Sequence, residues 1–220
     1  MNLIDTHAHL TYSGLEENID DVLARSRAAG VTKWISIGTD FEHNEKVAAL
    51  AGKYENVYAV LGIHPHHASE YQPYHIQRLI ELIGSGKVVG LGETGLDFHY
   101  NFSKQQAQRE LFKKFIETAS LTRLPLIIHS RNAFEDTIQI LEKYADRTTK
   151  IVFHCWSGTV EQTRELIDRG YFISFTGIIT FKNAELTRQC VKTVPLDRMM
   201  LETDCPFMSP EPMRRQKINE

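Results

Sequence analysis

The sequence has little of what would place it in a specialised class. Its three cysteines, Cys155, Cys190 and Cys205, are an odd number with no close-spaced pair. A disulfide framework is therefore not expected, a reducing compartment fits, and the thiols read as small packing groups. No apolar run approaches the roughly 18 residues of a membrane span, and no basic-then-apolar leader opens the chain. The expectation is a cytoplasmic protein without membrane contact. Lys and Arg (25) nearly balance Asp and Glu (28), leaving a net charge of −3, so the chain lacks the long-range field with which basic proteins gather nucleic acid. Any polyanion must be held locally. No low-complexity tract, solenoid repeat or Pro/Gly-rich linker divides the 220 residues, which predicts one domain over 1–220, expected as a monomer.

What the chain does have is alternation. Short β-branched or apolar runs at 3–9, 33–38, 57–63, 88–93, 125–129, 151–155, 171–175 and 199–203 are separated by segments of helical period near 16–29, 42–53, 74–84, 104–122, 133–144, 159–169 and 184–193. Runs such as VYAVLGI and PLIIH are almost continuously apolar, as expected of strands covered on both faces. Gly30 and Gly170 stand where helices should end. Eight βα-like units predict an α/β fold, the (β/α)8 TIM barrel, whose usual length is about 250 residues. After the eighth strand only CPFMSPEPMRRQKINE remains, broken by three prolines. The closing C-terminal helix is therefore expected to be absent or truncated, with apolar surface exposed beside strands one and eight.

The chemistry is expected at the C-terminal ends of the strands. Strand one carries IDTHAHL, in which Asp5, His7 and His9 share one face of an extended chain. Strand three leads to GIHPHH with His64, and strand four to GETGLD with Glu93. Strand five ends in IIHSR with His129, strand six in FHCW with His154, and strand eight in ETDCP with Asp204. Five of the ten histidines thus fall at equivalent positions, where chance would scatter them among helices and loops. Burying such groups is costly unless a partner neutralises them, and a divalent cation suits them best. Four imidazoles and two carboxylates exceed one tetrahedral site that keeps an open position. They suit two cations bridged by Glu93, about 3.5–4 Å apart. Mixed nitrogen and oxygen ligands admit Mg, Mn, Co or Zn alike. Asp5 beneath His7 and Glu202 beneath Asp204 are placed to fix imidazole tautomers.

Taken together, IDTHAHL, GIHPHH, GETGLD, HSRNA, HCWSG and ETDCP resemble, in order and from end to end, the TatD family of metal-dependent deoxyribonucleases within the amidohydrolase-like barrels. The resemblance implies that His7, His9 and Asp204 hold one metal and His129 and His154 the other, with Glu93 shared. It also implies that His64, His66 and Arg131 face the substrate phosphate. Two departures stand out: Thr11 replaces the aspartate common after HxHL, and the sequence stops at Asn219-Glu220, where relatives continue into a closing helix.

The expected reaction is phosphodiester hydrolysis of DNA by a water activated between two cations, with Asp204 as general base beside Glu93. The absence of a basic stripe favours an exonuclease acting on single strands or ends over duplex scanning. Phe98, Tyr100, Trp156 and Phe207 follow strand ends and are candidates for base stacking. Two alternatives stand beside this reading. One is a binuclear amidohydrolase acting on a small cyclic amide or ester, disfavoured because strand four ends in Glu93 rather than a lysine. The other is a catalytically impaired binding protein lacking its last cover.

Overall fold

The periodicity is realised as eight parallel strands in one sheet, paired in the order β1 to β8. The computed structural model describes residues 2–84, 87–100 and 102–214. The strands are β1 (Leu3–Ala8), β2 (Val31–Ile37), β3 (Val57–Leu61), β4 (Val88–Asp97), β5 (Leu126–Arg131), β6 (Ile151–Phe153), β7 (Phe172–Phe175) and β8 (Met199–Leu201). Between them run α1 (Ile19–Ala28), α2 (Phe41–Lys53), α3 (Pro73–Ile83), α4 (Gln105–Thr122), α5 (Phe134–Tyr144), α6 (Val160–Asp168) and α7 (Glu185–Thr193). The architecture is the TIM barrel expected from the βα alternation.

Each strand alternates between two apolar environments. Residues such as Trp34, Leu61, Ile128 and Phe153 face the helices and join the main core. Their neighbours Ile37, Val60, Ile127 and Val152 form a separate small cluster with Ile35, Val89, Phe172 and Met200. Trp34 donates to Ser26 of α1 (2.9 Å), so its neighbours Ile35 and Ile37 point to the barrel axis, and this second cluster is the interior plug. Burying each such aliphatic side chain stabilises the fold by roughly 1.5–3 kcal/mol. Two residues beyond Ile127 stands His129, and two beyond Val152 stands His154. The same strand face that fills the plug with aliphatics thus crowns it with imidazoles.

Strand boundaries depart from expectation in a way that shapes the crown. β4 runs four residues past Glu93, to Asp97, because Phe98 N still donates to Arg131 O (2.9 Å) and Gln108 of α4 holds both the backbone N–H and C=O of Asp97 (2.8 and 3.1 Å). β1, β6 and β8 stop early, so His9, His154 and Asp204 lie just beyond their strands. Cys155 and Asp204 take left-handed backbone conformations there, with φ of 46° and 58°, a region open to non-glycine residues chiefly at turns.

The barrel meets itself between β1 and β8 by an irregular seam. Thr6 Oγ1 donates to Leu201 O (2.9 Å), Asp204 N to His7 O (2.9 Å) and His9 N to Cys205 O (2.8 Å). Outside this seam Ile4 and Leu201 are exposed, as expected of a strand pair without helical cover. Residues 202–214 form turns and contain no helix. The expectation of a missing closing helix also bears on 215–220, which lie outside the described residues.

Candidate metal centre and substrate pocket

The candidate ligands converge at the C-terminal mouth of the barrel, at the floor of a pocket of about 440 Å³. Glu93 is the hub. Its Oε2 faces His7 Nε2 (3.4 Å) and His9 Nε2 (3.8 Å), while its Oε1 faces His129 Nδ1 (2.9 Å), His154 Nε2 (2.7 Å) and His64 Nε2 (3.4 Å). Asp204 Oδ1 closes the first group, 3.2 Å from His9 Nε2 and 3.7 Å from His7 Nε2. All six residues expected to carry metal are thus brought together, and one carboxylate presents a different oxygen to each of two histidine groups.

Glycine makes this convergence possible. In the GETG stretch Gly92 and Gly95 have φ of 129° and 132°, and a Cβ on either would run into the carbonyl oxygen of Ile127 or His129. Only a residue without a side chain lets β4 lie this close to β5 with Glu93 turned inward.

The residues present fit metal. His7 Nδ1 and Nε2, His9 Nδ1 and His154 Nδ1 are buried without a hydrogen-bond partner, an arrangement protein interiors rarely tolerate. His7, His9 and Asp204 offer ligand atoms within 4.8 Å of one another, as do His64, Glu93 and His129, and His7, His154 and Glu202. Burial, with His154 beside it, pushes His7 below the ordinary imidazole range, and burial takes His64 down to about 4. Both are therefore neutral near pH 7. Burial opposes the charge on Glu93, but His154, His64 and His129 outweigh it and hold the carboxyl well below its usual range. Asp204 is likewise held down against burial by His9.

Local hydrogen bonds assign ring nitrogens. His64 Nδ1 accepts from His66 N (3.2 Å), which leaves the proton of neutral His64 on Nε2, pointing into the site as a donor. In this tautomer His64 would meet a substrate as a donor, whereas a cation would need the other one. Asp97 was not singled out from the sequence, although it ends the GETGLD motif. Its Oδ2 lies 3.0 Å from both His129 Nε2 and His66 Nε2, while its Oδ1 accepts from His99 N and Tyr100 N (2.9 Å each). These contacts hold the Asp97 carboxyl below its usual range against burial. They also hold a proton on His129 Nε2; Nδ1 faces Glu93 Oε1 at 2.9 Å, the two carboxylates raise the imidazole above its ordinary range against burial, and Nδ1 would offer its lone pair only to a cation that displaces the proton there.

The supporting carboxylates differ from expectation in one case. Asp5 touches no imidazole: it accepts from His7 N (3.3 Å), Thr203 N (3.0 Å) and Thr203 Oγ1 (2.7 Å), and burial raises its carboxyl to about 6. It braces the β1–β8 seam, because the backbone N–H groups reach it before any ring does. Glu202 accepts from Cys155 N (2.7 Å) and stands 3.6 Å from His154 Nδ1.

Arg131 and His66 form part of the pocket wall, with the Arg131 guanidinium 4.9 Å from the Tyr100 ring centre. Two of the four aromatic candidates are not available for stacking. Trp156 is buried and donates to Thr163 (2.8 Å), and Phe98 packs on the core beneath Arg109. Cys155 is half-buried and lines the pocket, unlike the buried Cys190 and Cys205. Thr11 is buried with its hydroxyl unpartnered.

A family model described as TatD related DNase matches residues 4–220. The chain belongs to that family. Its relatives include the uncharacterized metal-dependent hydrolase YabD of Bacillus subtilis, 35% identical over 98% of this chain and 84% of that protein. They also include the 3'-5' ssDNA/RNA exonuclease TatD of Cronobacter sakazakii, 34% identical over 99% of this chain and 84% of that one. Among solved structures, the TatD homologue YJJV of Escherichia coli superposes with a TM-score of 0.92 at 31% identity, covering 99% of this chain and 84% of the other. This TatD-family chain is accordingly a metal-dependent hydrolase. No helix among its described residues is long and apolar enough to cross a membrane.

Proposed function

We propose that the protein is a two-cation 3'-5' exonuclease acting on single-stranded DNA ends. The observation that carries this reading is the division of Glu93, whose Oε2 serves His7 and His9 while its Oε1 serves His129 and His154. In this assignment His7, His9 and Asp204 would hold one divalent cation and His129 and His154 the other, with Glu93 available to both. Bound there, Mg, Mn, Co or Zn would lower the pKa of an attacking water and stabilise charge developing on the phosphoryl oxygens.

The chain's own residues do the rest. Asp204, kept anionic beside the site, accepts the proton of the attacking water. His64 donates from Nε2 to a non-bridging phosphate oxygen. Arg131 holds the same phosphate from the wall by its planar pair of donors, and His66, whose Nε2 is engaged by Asp97, lines the wall beside it. Glu202 and Asp97 keep His154 and His129 in place. The chemistry lies at the floor of a pocket of about 440 Å³, which suits a chain end better than a continuous duplex about 20 Å wide. The exonuclease names carried by relatives at about one-third identity support the same substrate class.

The test is release of mononucleotides from 3'- or 5'-labelled single-stranded DNA and RNA across Mg, Mn, Co and Zn. Release of single nucleotides from the 3' end, abolished in Glu93→Ala and Asp204→Ala, is the expected result. Protein that binds two metals per chain yet cuts no nucleic acid would overturn the nuclease reading and leave the amidohydrolase alternative.

A further inference from the structure

Resting on the single-strand nuclease reading, we propose that Tyr100 and Phe102, on the loop after β4, form a nucleobase-stacking subsite beside the cleaved phosphate, faced across the barrel mouth by Phe207. The three rings are left in water: Phe102 is 69% exposed, Phe207 48% and Tyr100 41%. The loop after β4 also contains Phe98, which packs against the core, and the loop after β6 contains Trp156, which is buried in it. Packing of these loops is thus already served, and the remaining rings are surplus to it. The other exposed aromatics among the described residues, Phe41 and Tyr74, pair with each other at 6.1 Å.

Tyr100 and Phe102 lie nearly parallel, with ring centres 5.5 Å apart and planes 20° from each other. Both abut His66, at 5.5 and 4.8 Å. His66 in turn abuts His64 at 4.2 Å, whose Nε2 reaches Glu93. The pair therefore stands one ring contact behind the side chains assigned to the phosphate, which is where the base of a nucleotide held by that phosphate must go. Phe207 follows β8, four strands from β4 and so on the opposite side of an eight-stranded barrel, and contacts His9 and Tyr12 at 5.7 and 5.8 Å. A strand laid across the mouth would have a ring to either side of the metal centre.

The charge balance calls for such a device. Arg131 is the one lysine or arginine among the described residues lining the pocket, and the net charge is −3, so cationic side chains supply little of the affinity for a polyanion. Stacking on aromatic rings contributes about 1–3 kcal/mol per base and is indifferent to base identity. It also requires unpaired bases, since a duplex keeps their faces covered.

The experiment compares an intact single-stranded oligonucleotide with three versions, each abasic at one of the last three 3' positions, in wild type, Phe102→Ala, Tyr100→Ala and Phe102→Trp. In wild type, kcat/KM is expected to fall at least about 5-fold for one of the abasic substrates. Phe102→Ala and Tyr100→Ala should shrink that preference to within twofold, and Phe102→Trp should retain it. A wild type indifferent to all three abasic positions, or a preference that survives both alanine variants, overturns the subsite while leaving the nuclease intact. A wild type that cuts no oligonucleotide overturns the nuclease reading and the subsite with it.

Discussion

Asp97→Asn tests the hydrogen-bond logic of the centre most sharply, because it changes no volume. The wild-type carboxylate is fully engaged: Oδ1 takes the N–H groups of His99 and Tyr100, and Oδ2 takes Nε2 of His129 and of His66 at 3.0 Å each. An asparagine that keeps its oxygen on the two loop amides must turn its NH2 toward the two imidazoles, setting donors against donors. His129 then relieves the conflict by moving its proton to Nδ1, the nitrogen beside Glu93, and forfeits the lone pair a metal would use. Loss of such a supporting partner costs about 10–100-fold in metal affinity, or about 1.4–2.7 kcal/mol. Calorimetric titration of Mn or Zn into metal-free protein, with chelator competition for the tighter site, should show one of two sites weakened by that factor. The site built on His7, His9 and Asp204 should change far less. Two binding constants within twofold of wild type, in a variant with an unchanged unfolding midpoint, would refute the tautomer argument.

Four further outcomes follow from the same geometry. Asp204→Asn keeps a ligand oxygen but no longer takes a proton, so turnover should fall about 10²–10⁴-fold in steady-state assays; a loss below tenfold removes it as proton acceptor. Adding metal should raise the stability of metal-free protein by about 1.4 kcal/mol for each tenfold excess over the dissociation constant, read as a rising thermal midpoint that chelator reverses. A midpoint blind to metal would contradict the ligand set. Gly95→Ala, at φ of 132° and against the His129 carbonyl, should cost about 1–3 kcal/mol in urea unfolding, and an unaltered midpoint would mean that β4 and β5 need no such approach. Thr203→Val removes the 2.7 Å bond to Asp5 and should cost about 1.5–3 kcal/mol; no change in unfolding free energy would deny Asp5 its bracing role.

The barrel and the convergence of the candidate ligands were legible because both are written in local periodicity. Alternation along a strand places Ile127 and His129, or Val152 and His154, on one face whatever the rest of the chain does, and a βα repeat fixes which ends those faces share. The supports were less legible because they depend on contacts between distant elements. Asp97 becomes visible only once β4 is seen to run on under the hold of Gln108. Parity puts Asp5 under His7, but the β1–β2 register shifts between Asp5 and Ala8, and the Thr203 amide and hydroxyl from the far end of the chain claim its carboxylate. Phe98, Trp156, Tyr100 and Phe207 look alike as aromatics in loops, and only burial separates the two that pack from the two that stay in water.

The β1–β8 seam also bears on the order in which the molecule comes together. His129 and His154 are 25 residues apart, while His9 and Asp204 are 195 apart. Closing the longer loop costs about 2 kcal/mol more in chain entropy, and contacts of such high contact order are the slow ones to form. Half of the centre can therefore assemble within the β4–β6 segment, whereas the other half exists only after the first and last strands have met. Metal bound by His7, His9 and Asp204, as proposed, would in that sense report on completion of the whole barrel.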